Sequence, residues 1–340
     1  MLSTGRFLLP IVALVLIVSG AHATTHEFYK GKTMRIIVGF AAGGGFDTHS
    51  RAIARHMGKH IPGNPTIIVE NMAGAGSLIS ANHLYKVAKP DGLVIGNFIG
   101  SLFLDQVLER RGIEFEAQKF EYIGIPLQDT PVCVLSKAGG ATSIKEWTAS
   151  KTPVKMGGLG PGTPQDNIPK ILKATLDLPI HLVSGYKGTS NVRLAIEAGE
   201  VAGACLSWDS VKATWRKMLE VGDVVVVMQF ARQAHSELQN VPVAIDLAQN
   251  EEARQLIEVG AVDPGAINRP YVLPPGTPKE RVQLLRKAFL ETMKDAEFLA
   301  EARKAKLDIE PMSGEEVERV IAKLFKLSPA MVTKLKELLK

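Results

Sequence analysis

Short apolar runs rich in β-branched residues recur along this chain. Each is followed by a glycine-rich break and then by apolar residues at helical spacing. The first such unit predicts a strand over Arg35 to Phe40, a break at Gly43, Gly44 and Gly45, and a helix through Ser50 to Met57 with Asp47 as its N-cap. The second predicts a strand over Thr66 to Val69 and a turn over Glu70 to Ser77. A stripe then follows at Leu78, Ala81, Leu84, Tyr85 and Ala88, which Lys89-Pro90-Asp91-Gly92 ends. Leu93 to Gly96 predicts a third strand. This βαβαβ order with short loops implies a parallel sheet with right-handed crossovers. In such sheets ligands lie beyond the C-terminal ends of the strands, where these glycine breaks fall.

The pattern then starts again. Residues 121–135 read as extended, and Ser143 and Glu146 have capping-box spacing. Val154 to Met156 predicts a strand, Gly157 to Thr163 a glycine-rich loop, and Gln165 to Thr175 a helix that tolerates Pro169 in its first turn. Strands follow at His181 to Val183, Val201 to Leu206 and Val224 to Met228, with a loop over Gly185 to Ser190 and a helix over Asn191 to Ala198. From Arg269 the chain returns through a proline-punctuated extended segment. Thr277 is read as the N-cap of a helix that opens with Pro278. Amphipathic helices over 278–294, 295–306, 314–325 and 328–340, with no strands between them, read as packing onto the first half. Residues 24–134 and 266–340 would then form one lobe, and 135–265 the other.

Composition sets the location. Arg6, the apolar run Phe7 to Val18 and the small-x-small site Ala21-His22-Ala23 read as a signal peptide cleaved after Ala23. The run is too short to span a bilayer. A bacterial periplasm or the cell exterior is the expected destination. Removing Arg6 with the leader lowers the formal net charge from +5 to +4. The charges are interspersed, and no basic stripe with interleaved aromatics points to nucleic acid. Cys133 and Cys205 stand in apolar contexts, as either a disulfide or two buried thiols. His49, His56 and His60 lack metal-ligand spacing and read as surface or partly buried helix residues. No metal or cofactor is expected.

A strand, a glycine turn and a helix start make an anion cradle, because backbone N–H groups point at the ligand with the helix dipole behind them. The first cradle is not a Walker sequence and not Gly-x-Gly-x-x-Gly, since Thr stands at 48. No Gly-x-Ser-x-Gly elbow is present. Asp47 and Asp209 are the carboxylate pair to consider for acid–base work, which would need one of them desolvated. What remains is glycine loops in two α/β halves facing one another, the design of a binding protein that closes about a small anion.

The ordered set Met34 to Asp47, Val69 to Ser77, Pro90-Asp91-Gly92, Gly160 to Thr163, Tyr186-Lys187-Gly188 and Pro274 to Pro278 resembles the substrate-binding proteins of tripartite tricarboxylate transporters, the TctC or Bug family. The resemblance spans essentially the whole mature chain. It implies a two-lobed α/β periplasmic binding protein, type II-like, each lobe a mostly parallel sheet flanked by helices, with the ligand cleft between lobes. It implies a monomeric solute receptor, not an enzyme, that takes a small carboxylate and hands it to TctA/TctB-like membrane permease subunits. Carried over by position, the ligand-binding residues are Ala42, Gly43, Gly44, Gly45, Phe46 and Asp47 in the first lobe. In the second they are Gly158, Leu159, Gly160, Gly162 and Thr163, with Tyr186, Lys187, Gly188 and Asp209 beside them. Asp47 is read as shaping its loop more than holding the anion, Phe46 and Phe98 as core, and Trp208 as a cleft aromatic. The chain departs from the family pattern at Ala41-Ala42, at Asp166-Asn167 and at Pro242 to Asp246. An exported enzyme acting on a small anion and a sensor-type binding subunit are the alternatives.

Overall fold

The computed structural model describes residues 25–340, so the leader and its cleavage site lie outside the described residues. Among these residues eleven strands form two sheets, ordered β11-β4-β10-β3-β1-β2 and β7-β6-β8-β5-β9. The first sheet uses β1 (Thr33–Val38), β2 (Thr66–Asn71), β3 (Val94–Asn97), β4 (Glu121–Ile125), β10 (Tyr271–Leu273) and β11 (Met312–Ser313). The second uses β5 (Pro131–Ser136), β6 (Val154–Gly157), β7 (Ile180–Val183), β8 (Gly203–Ser207) and β9 (Val224–Gln229). β1 is parallel to β2 and β3, and β6 is parallel to β7 and β8. β10 runs antiparallel to β3 and β4, and β5 antiparallel to β8 and β9, because the chain enters each from the opposite lobe.

Cys133 and Cys205 stand directly opposite in the β5–β8 ladder and form a disulfide. Their separation is 72 residues. Restricting that loop in the unfolded chain stabilises the fold by roughly 4 kcal/mol in the chain-entropy account.

Three local expectations differ from what is observed. Asp47 is not the N-cap. The helix runs from Gly45 to Met57 with Gly44 at the cap, and Asp47 is its third residue. Its carboxylate accepts the N–H of Gly43 at 2.9 Å, one residue before the cap. Pro169 lies in the second turn of the Pro164–Leu176 helix rather than the first. Its ring is buried there. Thr277 does not cap the Lys279–Thr292 helix; its hydroxyl donates to the carbonyl of Pro274.

The C-terminal helices also divide differently. The two-residue strand β11 lies between the Ala296–Ala305 and Gly314–Leu324 helices and pairs with β4. The first three of these helices, from Lys279 to Leu324, pack on the first sheet and its helices. The last, Pro329–Leu338, instead packs on the Pro164–Leu176 helix of the second lobe. Its Leu335 closes a cluster with Leu104 and Leu108 of the first lobe and Leu256 of the second. At the crossings Asn268 donates to Asp129 at 2.7 Å, which ties the outgoing and returning segments together.

Candidate functional site

The glycine loop after β1 meets the segments after β7 and β8, and the glycine loop after β6 meets the segments after β2 and β3. Ala41 donates its N–H to the carbonyl of Lys187 at 3.1 Å, Ser190 donates its hydroxyl to Ala42, and Ser101 donates to Gly162 at 2.8 Å. The glycines permit this approach. A Cβ on Gly45 would overlap the Ser210 hydroxyl, and one on Gly76 would lie 2.5 Å from the Thr163 methyl carbon. Gly76 also has φ +63, a conformation that side chains rarely take.

Between the loops lies a small cavity. Phe40, Gly44, Gly45 and Phe46 line it from the first lobe, and Leu159, Gln165, Thr189, Ser207 and Ser210 from the second. Its volume is 10 Å³, room for about one water-sized group. Phe40 and Leu159 separate it from a chamber of 180 Å³ that runs outward past Gly74 to Ser77, Gly160, Pro161 and Gly185 to Lys187. Gly44, Gly45 and Phe46 begin a helix, so their N–H groups have no carbonyl one turn back to bond. The Thr189 hydroxyl and the Gln165 Oε1 are buried and unpartnered at the same cavity. The site is therefore apolar on its walls and rich in unused hydrogen-bonding capacity at its floor. That combination suits a small polar anion entering with its charged end first.

Of the residues expected here, Gly44, Gly45, Phe46 and Leu159 line the inner cavity. Leu159, Gly160, Tyr186 and Lys187 line the chamber. Ala42 and Gly43 are exposed beside it, the former through a carbonyl that takes the Ser190 hydroxyl. Asp47 sits behind the loop. It accepts from Gly43, from Arg51 and from Asn71. Burial alone would raise its pKa, but these donors outweigh burial and lower it. Gly158 and Thr163 shape the second loop, together with Asp166. Asp166 accepts from the Gly160 N–H at 2.9 Å and from the Ser184 hydroxyl. Gly162 faces a separate groove of 460 Å³ beside the C-terminal helix. Gly188 backs onto Ala41. Tyr186 donates to Glu200 at 2.6 Å, and burial with that carboxylate pushes its phenol up to about 12.

Asp209 does not line the cavity. It is 1% exposed. Its carboxylate lies 2.7 Å from the His49 Nε2, accepts the Asp308 N–H at 2.8 Å and is 3.4 Å from the Arg269 guanidinium. Burial opposes its charge, yet His49, Arg269 and that N–H together hold its pKa at about 2. His49 is thus fully buried rather than a surface residue, since the first-lobe helix presents it to the second lobe. Trp208 turns its indole N–H to Glu237 rather than to the cleft. Phe46 lines the cavity, while Phe98 packs in the core against Phe103, Phe115 and Phe120.

Phe40, Gln165, Thr189, Ser207 and Ser210 were not expected at the site. Ser207 and Ser210 had a signal, because their spacing is that of an N-cap pair at a strand end, where ligands gather. Among the described residues two groups have metal-ligand geometry, His56-Asp295-Glu297 and His235-Glu237-Asp308. Each already holds a lysine ammonium: Lys59 meets Asp295 and Glu297, and Lys212 meets Glu237 and Asp308.

Comparison with known proteins agrees with this fold. The structure is similar to that of the periplasmic binding protein BugD, with a TM-score of 0.73 at 21% identity over 91% of this chain and 98% of that one. It is similar to MatC of Rhodopseudomonas palustris, solved with bound malate, with a TM-score of 0.69 at 20% identity over 91% and 99% of the two chains. A UPF0065 protein of Bordetella pertussis is 25% identical over 292 residues, which cover 82% of this chain and 80% of the relative. The model of the tripartite tricarboxylate transporter family receptor, TctC, matches residues 50–336, and the chain belongs to that family.

Proposed function

We propose that this receptor works in the periplasm, after loss of its leader, and captures a short-chain carboxylate in the cleft between its lobes. One carboxylate oxygen enters the inner cavity, and the rest of the solute fills the chamber toward Lys187. The observation that carries this reading is the convergence of unused donors from both lobes on one small cavity: the N–H groups of Gly44, Gly45 and Phe46 and the hydroxyl of Thr189. A chamber of 180 Å³ suits a metabolite and is small for a drug-sized or nucleotide ligand. Malate bound to MatC and adipate bound to a second Rhodopseudomonas palustris structure, at a TM-score of 0.69 and 18% identity, support the same ligand class. The receptor acts as a monomer and passes its solute to TctA/TctB-like permease subunits in the membrane.

Native mass spectrometry of protein purified from the periplasm without refolding tests the reading. The expected result is a one-to-one adduct with the mass of a small organic acid, lost on mild activation. An adduct identified as a sugar, an amine or a cofactor would overturn it.

A further inference from the structure

Arg269 lies on the returning segment between the lobes and is wholly buried. Its guanidinium stacks over Phe46 with 4.8 Å to the ring centroid. One nitrogen, Nη2, donates to the Ser207 hydroxyl oxygen at 2.6 Å and to the Ser210 hydroxyl oxygen at 2.7 Å. Both hydrogens of that nitrogen are then used. Asp129 and Asp209 lie farther away, at 3.6 and 3.4 Å.

This arrangement fixes the direction of two protons. Arginine has no acceptor, so each serine oxygen receives and cannot donate toward it. The Ser207 oxygen also accepts the Ser210 backbone N–H at 3.2 Å, so both its lone pairs are occupied. The hydroxyl hydrogens of both serines are left to point away from the guanidinium. Both serines line the inner cavity, opposite Gly44 and Gly45. We infer that Arg269 is a positioning residue that turns Ser207 and Ser210 into a matched pair of donors for the anionic end of the ligand, completing from the second lobe the seat that the Gly44–Gly45 amides begin. The inference rests on the anion-receptor reading above and adds to it the residues that hold the charge from the second lobe. A bond polarised by a cation behind it is stronger than a neutral one. The seat also exists only when the lobes meet, because Gly45 and Ser210 come from opposite lobes. The Thr189 hydroxyl, buried and unpartnered at the same cavity, is a further donor available to an anion there.

A double-mutant cycle on the mature chain tests this, read by calorimetry with succinate, malate, glutarate, adipate and inorganic sulfate as probes. S210A is expected to weaken the best-binding probe about ten- to a hundredfold, as loss of a bond to a charged group does. R269K, which keeps the charge but not the planar fork, is expected to weaken it comparably. In a background lacking both hydroxyls, S207A with S210A, R269K should add less than about threefold, because the arginine acts through the two serines. A merely structural arginine gives losses that multiply instead, and that result overturns the inference, as does S210A binding within threefold of wild type. Where R269K fails to fold, S207A against S207T replaces it: the threonine should restore affinity that the alanine loses. If wild type takes sulfate alone and the variants lose it, the seat stands and the carboxylate reading falls. If wild type takes carboxylates and the variants match it, the seat falls and the reading stands. If wild type takes none of the probes, both fall.

Discussion

At the residue scale, the carboxylates nearest the cleft hold the protein together rather than the ligand. Asp47 fastens the glycine loop from behind, and Asp209 fastens the two lobes to each other. The Asp209 carboxyl titrates at about 2, below its ordinary 3.8, and so binds its proton less readily folded than unfolded. Its contribution is present in full above pH about 4 and is lost as the pH falls toward 2. The displacement corresponds to a contribution on the order of 2 kcal/mol. Urea unfolding of wild type is expected to show that loss between pH 4 and 2, and D209N to start lower and show a flatter decline. Equal slopes for the two proteins would exclude this role. The glycines were legible in the sequence because their local job, a tight turn before a helix, is written in neighbouring residues. The use of Asp209 was not, since its partner His49 is 160 residues away. The serines were hidden for the same reason: Ser207 meets Arg269 at a separation of 62.

At the element scale, the order of strands and helices follows from periodicity and capping. Ser143 accepts the expected N–H at its helix start, and Ser313 and Ser328 cap their helices in the same way. Where elements were misplaced, a tertiary contact decided the matter. Pro169 sits buried in the second turn, against the expectation of the first. The last helix was the largest departure. An amphipathic stripe says that a face is buried but not against which partner, and here it bridges to the second lobe. Leu335 is fully buried at that bridge. L335A is expected to cost about 2–5 kcal/mol in chemical denaturation. A cost under about 1 kcal/mol would show that the helix adds little to the fold.

At the scale of the whole molecule, two α/β lobes are pinned by a buried cluster at the crossings and touch again at their glycine loops. The two-sheet plan was legible because each half repeats strand, glycine loop and helix. That these loops face one another was legible too, but the particular contacts between them were not, because they depend on which loop residues lack a Cβ at the point of approach. Gly45 is the clearest case. G45V is expected to lower the thermal midpoint of the ligand-free protein and to remove measurable solute binding, because its side chain overlaps Ser210 where the lobes meet. Retained affinity in that variant would place the ligand elsewhere. The most direct test of the receptor account is calorimetric titration of the mature wild-type chain with short di- and tricarboxylates. The account predicts saturable one-to-one heat with at least one of them, and no heat with any of them would contradict it.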